Sequence, residues 1–222
     1  TDSAAGIQAA VTYFLSLGVG YGGQYPSSDQ LALYFPSGDY NADSAPVTIS
    51  TTGTGQTIFG DGSTSQISGV RIQINDNRCD LHDFLLKGSV SPEGIRVDGS
   101  LNPVRSGSIV NVYVRDRAIG FFVTGNNSHF QLTNVTLEKN TVGFRCDDTL
   151  GMQLTNCHIF SSVSDGIKIN KAGELKFDNC TSISNFGYGL HITGSASSQS
   201  VECYFTQFTC TVNQLDSSNR DS

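Results

Sequence analysis

The chain has 222 residues, a net charge of −7, and 24 glycines against one methionine and no tryptophan. An acidic balance of this size argues against a nucleic-acid partner, whose binding surface needs a basic excess, and no apolar run reaches the ~20 residues that membrane insertion as a helix requires. The glycine content fits many short strands and tight turns better than packed helices.

The first predicted element is a helix from Ala4 to Leu17, where Ile7, Ala10, Val11, Phe14 and Leu15 recur at helical spacing. Asp2 or Ser3 stands where an N-cap belongs, and Gly18 where the helix stops. Such a helix can cover the open end of a solenoid and shield its unpaired edge. A strand follows at Leu31-Ala32-Leu33-Tyr34-Phe35, then a turn at Pro36-Ser37-Gly38-Asp39-Tyr40.

From residue 69 onward a four-residue phrase, glycine then apolar, variable, apolar, occurs six times at intervals of roughly 23 residues. It reads Gly69-Val70-Arg71-Ile72, Gly94-Ile95-Arg96-Val97, Gly120-Phe121-Phe122-Val123, Gly143-Phe144-Arg145-Cys146, Gly166-Ile167-Lys168-Ile169 and Gly189-Leu190-His191-Ile192. A second phrase keeps step with it: Asn111-Val112, Asn134-Val135, Asn156-Cys157, Asn179-Cys180 and the degenerate Glu202-Cys203. The apolar positions alternate with period two, as in a strand with one buried face, and no coil shows helical spacing. Period and alternation together predict an all-β fold, a right-handed single-stranded parallel β-helix with an N-terminal capping α-helix. Its organisation reads as cap and leading strands over residues 1–60, coils over 61–212 and a polar tail over 213–222.

In that fold Val70, Ile95, Phe121, Phe144, Ile167 and Leu190 form one buried column, the head glycines permit a bend, and the asparagines hold left-handed corners. Cys157, Cys180 and Cys203 fall one coil apart and read as small, reduced core residues. No close Cys-x-x-Cys pair with histidine partners is present, so no metal site is read, and no motif calls for a cofactor. After Cys203 the repeat fades, with no amphipathic segment left to cover the last coil.

Thr1-Asp2, Ala5, Ile7-Gln8-Ala9-Ala10, the strand ending Phe35-Pro36-x-Gly38-x-Tyr40, and Ile58-x-Gly60-x-Gly62 together make the chain resemble the pectate-lyase-like right-handed β-helix superfamily, which includes bacteriophage tailspikes and capsule depolymerases. The resemblance implies a tailspike or tail-fibre β-helix, on a virion tail or extracellular, homotrimeric, that binds bacterial surface polysaccharide and in enzymatic members depolymerises it. A secreted polysaccharide lyase or glycoside hydrolase and a non-catalytic virion module are the alternatives. Of the Asn-Thr-Asp, Asp-Asp, Gly-His-Gly and Arg-x-Lys motifs of polygalacturonase-like relatives, only Asp147-Asp148 has a counterpart. Asp98, Asp147, Asp148 and Arg145 match the residue types of calcium-dependent lyases without a spacing that fixes their geometry.

The second residue of each phrase points outward, giving Arg71, Arg96, Phe122, Arg145, Lys168 and His191 in order. Cations and a ring on a flat sheet suit an anionic glycan, with arginine forking onto carboxylates and Phe122 stacking on a sugar. Surface ion pairs of Arg96 with Asp98 and Arg145 with Asp147, or an interface with another subunit, explain the pattern equally well. A catalytic pair, Asp98 and Asp147, stands two coils or ~9.6 Å apart, near the upper limit for inverting glycosidases, with Asp116 and Glu138 as rival acids.

Overall fold

The structure, a computed structural model, describes residues 3–18, 31–51, 55–75, 77–194 and 201–211. It is a right-handed β-solenoid of about seven turns behind one helix, and the described strand pairings are parallel. Each coil sends one strand to each of three faces. The first face carries the glycine phrases and runs from Val47–Thr51 and Val70–Ile74 through residues 95–98 and 119–125 to Val142–Cys146, Ile167–Ile169 and Leu190–Ile192. The second face runs from Leu31–Phe35 to Met152–Thr155, Leu175–Asp178 and Cys203–Thr206, the third from Gly38–Asn41 to His158–Phe160, Thr181–Ile183 and Thr209–Cys210.

The helix spans Ala4–Gly18 and buries Ala4, Ile7 and Val11 on the core. Ser3 takes the N-cap place, its carbonyl accepting from the Ile7 N–H at 2.9 Å, while its own N–H donates to the Asn41 carbonyl at 2.7 Å. Asp2 and the side chains of Phe14 and Leu15 lie outside the described residues. Coil winding begins ahead of residue 61. Leu31–Phe35 pairs with Gln56–Gly60, and Gly38–Asn41, expected within a turn, pairs with Ser65–Ser68.

The internal column is real but shifted at its start. Ile49, Ile72, Ile95, Phe121, Phe144, Ile167 and Leu190 stand in register, so Ile72 and not Val70 lies under Ile95. Gly69 causes the shift: it holds a corner at φ 68° against the Ala42 backbone, two residues ahead of the equivalent place in later phrases. The other head glycines are not in left-handed backbone. A Cβ on Gly94 would sit 2.8 Å from the Gly120 carbonyl, one on Gly120 2.8 Å from that of Gly143, and one on Gly143 2.6 Å from that of Gly166. Their requirement is space between stacked coils rather than a bend. Phe121 and Phe144 stack with centroids 5.6 Å apart, and both are fully buried.

Asn111, Asn134, Asn156 and Asn179 all hold φ between 49° and 55°, as the corner reading predicts. Their amides bond along the stack, Asn134 to Asn111 at 3.1 Å and Asn179 to Asn156 at 2.7 Å, with Asp83 heading the ladder through Asn111 at 2.9 Å. After Asn179 the corner is taken by Gln207, not by Glu202, because the last coil is longer. Cys203 therefore pairs with Leu175 and leaves the column that Cys157 and Cys180 share. The six cysteines are free; burial pushes the Cys79 thiol up to about 12 and Cys203 to about 11, which disfavours the thiolate at these two. Buried Arg117 ties the irregular third coil to the next by donating to the Lys87 carbonyl at 2.7 Å. Among the described residues no helix is long and apolar enough to cross a membrane.

Candidate functional site

The outward column of the first face reads Gln73, Arg96, Phe122, Arg145, Lys168 and His191 in strict register. Arg71 departs from it by the same two-residue shift that displaces Val70, and pairs with Thr48. It still reaches the column through Glu93, at 3.3 Å.

The first half of the column is internally satisfied. Arg96 bonds Glu93 at 3.0 Å and Asp98 at 2.8 Å, and Arg145 forks onto Asp147 at 2.9 and 2.7 Å. Both guanidiniums lie over the Phe122 ring, at 4.8 and 5.2 Å from its centroid. Phe122 is only 8% exposed, so the ring expected to stack on a sugar is covered by the two arginines. Glu93, Asp98 and Asp147 neutralise these cations locally. Glu93 stands just ahead of its glycine, outside the repeated phrase, and its side chain is 10% exposed.

Asp98 and Asp147 do stand two coils apart on one column, with Thr124 between them. Burial raises the Asp98 pKa, but hydrogen bonds from Ser100 and Arg96 outweigh it and hold the carboxyl below its usual range. Asp147 accepts from both Arg145 nitrogens and from Asn170. Each carboxylate is occupied as an acceptor, which is not the setting of an acid that donates a proton to a leaving oxygen. Asp116 and Glu138 lie near the third corner, beside Arg115 at 3.6 Å and Lys139 at 3.4 Å.

The second half differs. The Lys168 side chain makes no hydrogen bond or ion pair among the described residues, although Arg145 and His191 flank it in register. His191 Nδ1 meets Asp165 Oδ2 at 2.8 Å, and Asp165 Oδ1 accepts from the Tyr188 N–H at 3.0 Å. The Asp165 side chain is 10% exposed and that of His191 33%, so the carboxylate is sunk beneath a ring that reaches solvent. The Tyr188 ring lies 4.9 Å from the imidazole, and Phe186 and Tyr188 are both well exposed. Asp165 and Tyr188, like Glu93, occupy the place before the glycine. An acid there, beside an outward histidine one coil on, was the sequence signal for this cluster.

A groove of about 510 Å³ lies on the second face under the 99–104 bulge, lined by Pro103, Arg105, His129, Gln131, Gln153 and Lys176 among others. Gln131 and Gln153 are register partners, while Lys176 is already paired with Glu174 at 2.8 Å.

Residues 47–219 match the family model described as right handed beta helix region. No curated protein matches the chain. Among solved structures the chain is similar to ORF18 of Geobacillus virus E2, at 13% identity and TM-score 0.43, covering 96% of this chain and 57% of that one. It is also similar to the A-module of the mannuronan C-5 epimerase AlgE4 of Azotobacter vinelandii, at 14% identity and TM-score 0.32, covering 97% and 94%. The chain thus spans little more than half the length of the viral protein, and neither likeness carries an argument about activity.

Proposed function

The chain belongs to the right handed β-helix family, and from that premise we propose that it binds an extended anionic polysaccharide of a bacterial surface along its first face, centred on Lys168 and His191. One observation carries the reading: Lys168, whose side chain has no hydrogen bond or ion pair among the described residues, stands one strand from His191, against which the exposed ring of Tyr188 packs. An ammonium attracts a sugar acid, and exposed rings offer a surface for the apolar faces of pyranoses. Strands ~4.8 Å apart repeat the outward positions along the axis, so a linear polymer meets successive coils. Arg96 and Arg145 extend the track as guanidiniums already oriented by their own carboxylates.

A place in a bacteriophage tailspike or tail fibre, and trimeric assembly, rest on the sequence resemblance and form part of the same proposal. Light scattering at micromolar concentration tests the trimer. Binding is tested by titrating capsular polysaccharides and lipopolysaccharides onto the immobilised protein at low and physiological salt. Acidic polymers should bind, more weakly as salt rises. A protein that binds none of them is a structural module.

A further inference from the structure

We propose that the stacked rings of Tyr34, Phe59 and His82 on the second face, with Asp61 beside their open end, dock an arginine side chain of a partner protein. The site lies on another face of the solenoid and is independent of the polysaccharide reading above. Tyr34 pairs in register with Phe59, and Phe59 with His82, so three outward rings follow one another on successive coils. Tyr34 and Phe59 stack at 4.7 Å between centroids and 20° between planes, Phe59 and His82 at 5.2 Å and 18°. One end of this ladder is closed and the other is open. Past His82 the register continues to Val110. Leu31–Phe35, by contrast, pairs among the described residues with Gln56–Gly60 alone, and Tyr34 is 46% exposed. The Tyr34 ring face turned away from Phe59 therefore has no ring stacked on it among the described residues.

Carboxylates hold the polar edges of the ladder. The Tyr34 hydroxyl donates to Asp61 Oδ1 at 2.7 Å, and His82 Nδ1 meets Asp83 Oδ2 at 2.8 Å. Asp61 Oδ2 accepts from the Ser37 N–H at 2.8 Å and from its hydroxyl at 3.1 Å, while Oδ1 keeps one acceptor position. The bond from Tyr34, followed by that from the Ser37 N–H, holds the Asp61 carboxyl below its usual range, so the group is charged at neutral pH. The first face shows what completes such a set. There Arg96 and Arg145 lay their guanidiniums over the Phe122 ring while bonding Asp98 and Asp147, each two residues along its own strand. Phe59-Gly60-Asp61 has the same two-residue spacing, with a ring in place of the arginine. The second face supplies the ring and the carboxylate of that set, and the open face of Tyr34 is the place for a guanidinium from outside. A guanidinium is flat and stacks on a ring while donating in its own plane to a carboxylate, whereas an ammonium is a compact, strongly hydrated point charge. The site therefore selects arginine over lysine. A second carboxylate, Asp83, and the net charge of −7 favour a basic segment around that arginine.

The test uses the full chain with labelled tetra-arginine and tetra-lysine peptides as probes, read by fluorescence anisotropy at one salt concentration. Tetra-arginine should bind at least about tenfold more tightly, because the two peptides carry equal charge and differ in stacking. Tyr34→Ala, at an exposed position, should bring the two affinities within about twofold of each other, while Tyr34→Phe, which keeps the ring, should retain a preference of at least about fivefold. Lys168→Gln on the first face should change neither affinity. A readout on the parent protein needs no variant to fold: the Tyr34 ring-proton resonances should shift on adding tetra-arginine and not on adding tetra-lysine. Equal affinities for the two peptides, no binding of either, an unmoved Tyr34 resonance, or a preference that survives in folded Tyr34→Ala protein overturns the inference. None of these results bears on polysaccharide binding at Lys168.

Discussion

Two halves of one outward column have the same repeat position and different physical states. From Arg96 to Arg145 the charges are matched: two guanidiniums enclose Phe122, and Glu93, Asp98 and Asp147 complete them. Around Lys168 and His191 the lysine side chain has no partner among the described residues, the imidazole reaches solvent, and the Tyr188 ring beside it stands exposed. The difference teaches that a solenoid position fixes which way a side chain points and not what it does there. In one half the side chains are matched to one another; in the other the Lys168 and His191 side chains keep groups that are unmatched among the described residues.

The largest expected effect breaks both halves together. Phe144→Ala removes a fully buried ring stacked on Phe121 and packed edge-on against Phe177. It should cost about 3–5 kcal/mol by urea denaturation, a large share of a domain's stability. Retention of the parent midpoint would mean that the internal column is not the core that both halves rest on.

A pair of variants then separates the halves. Arg96→Gln leaves Glu93, largely buried, with Arg71 alone, and should cost about 1–3 kcal/mol because a desolvated carboxylate loses its nearer partner. Lys168→Gln touches no side-chain bond among the described residues and should stay within ~0.5 kcal/mol of the parent. Equal losses in the two variants would erase the distinction between them.

Corner chemistry gives a smaller effect, common to both halves. Asn156→Ala puts alanine at φ 53° and removes the acceptor of the Asn179 amide, so thermal melting should report a loss of about 1–2 kcal/mol. The smallest effect concerns acid. For Asp98 and for Asp83, burial works to raise the carboxyl, but hydrogen bonds, from Ser100 and Arg96 in one case and from Asn111 and His82 in the other, bring it below the usual range. A carboxylate with a depressed folded pKa contributes stability above its unfolded value of about 3.9 and loses it as pH falls through the folded value. Each contribution should be under about 1 kcal/mol at these partly exposed sites, and Arg96→Gln should flatten the decline. An unfolding midpoint independent of pH below 4 would contradict this account of the matched half.

Much of the fold was legible because packing enforces periodicity. Any coil must bury the residues beneath its glycine phrase and turn at its asparagine, so Phe121, Phe144, Asn134 and Asn156 announce themselves. The errors came where a loop changed length. Gly69 matches the phrase but sits at a different corner, which displaced Val70 and Arg71 by two residues, and a longer last coil moved Cys203 out of its expected column. The site was harder to read, because its partners lie outside the repeat: Glu93 and Asp165 occupy a position that other coils fill with Ile119, Val142 and Tyr188. Phe122 reads as an exposed ring from sequence and is covered only because the coils on both sides place arginines there.

The most direct test of the central claim compares polysaccharide binding by the parent protein and by Lys168→Glu, on the same acidic polymer and at the same salt, with circular dichroism to show that both are folded. Charge reversal at an outward lysine with no partner among the described residues should leave the fold unchanged and weaken binding at least about tenfold, or ~1.4 kcal/mol. Unaltered affinity in the folded variant would contradict the account and move the contact to the groove at Arg105, Gln131 and Gln153 on the second face.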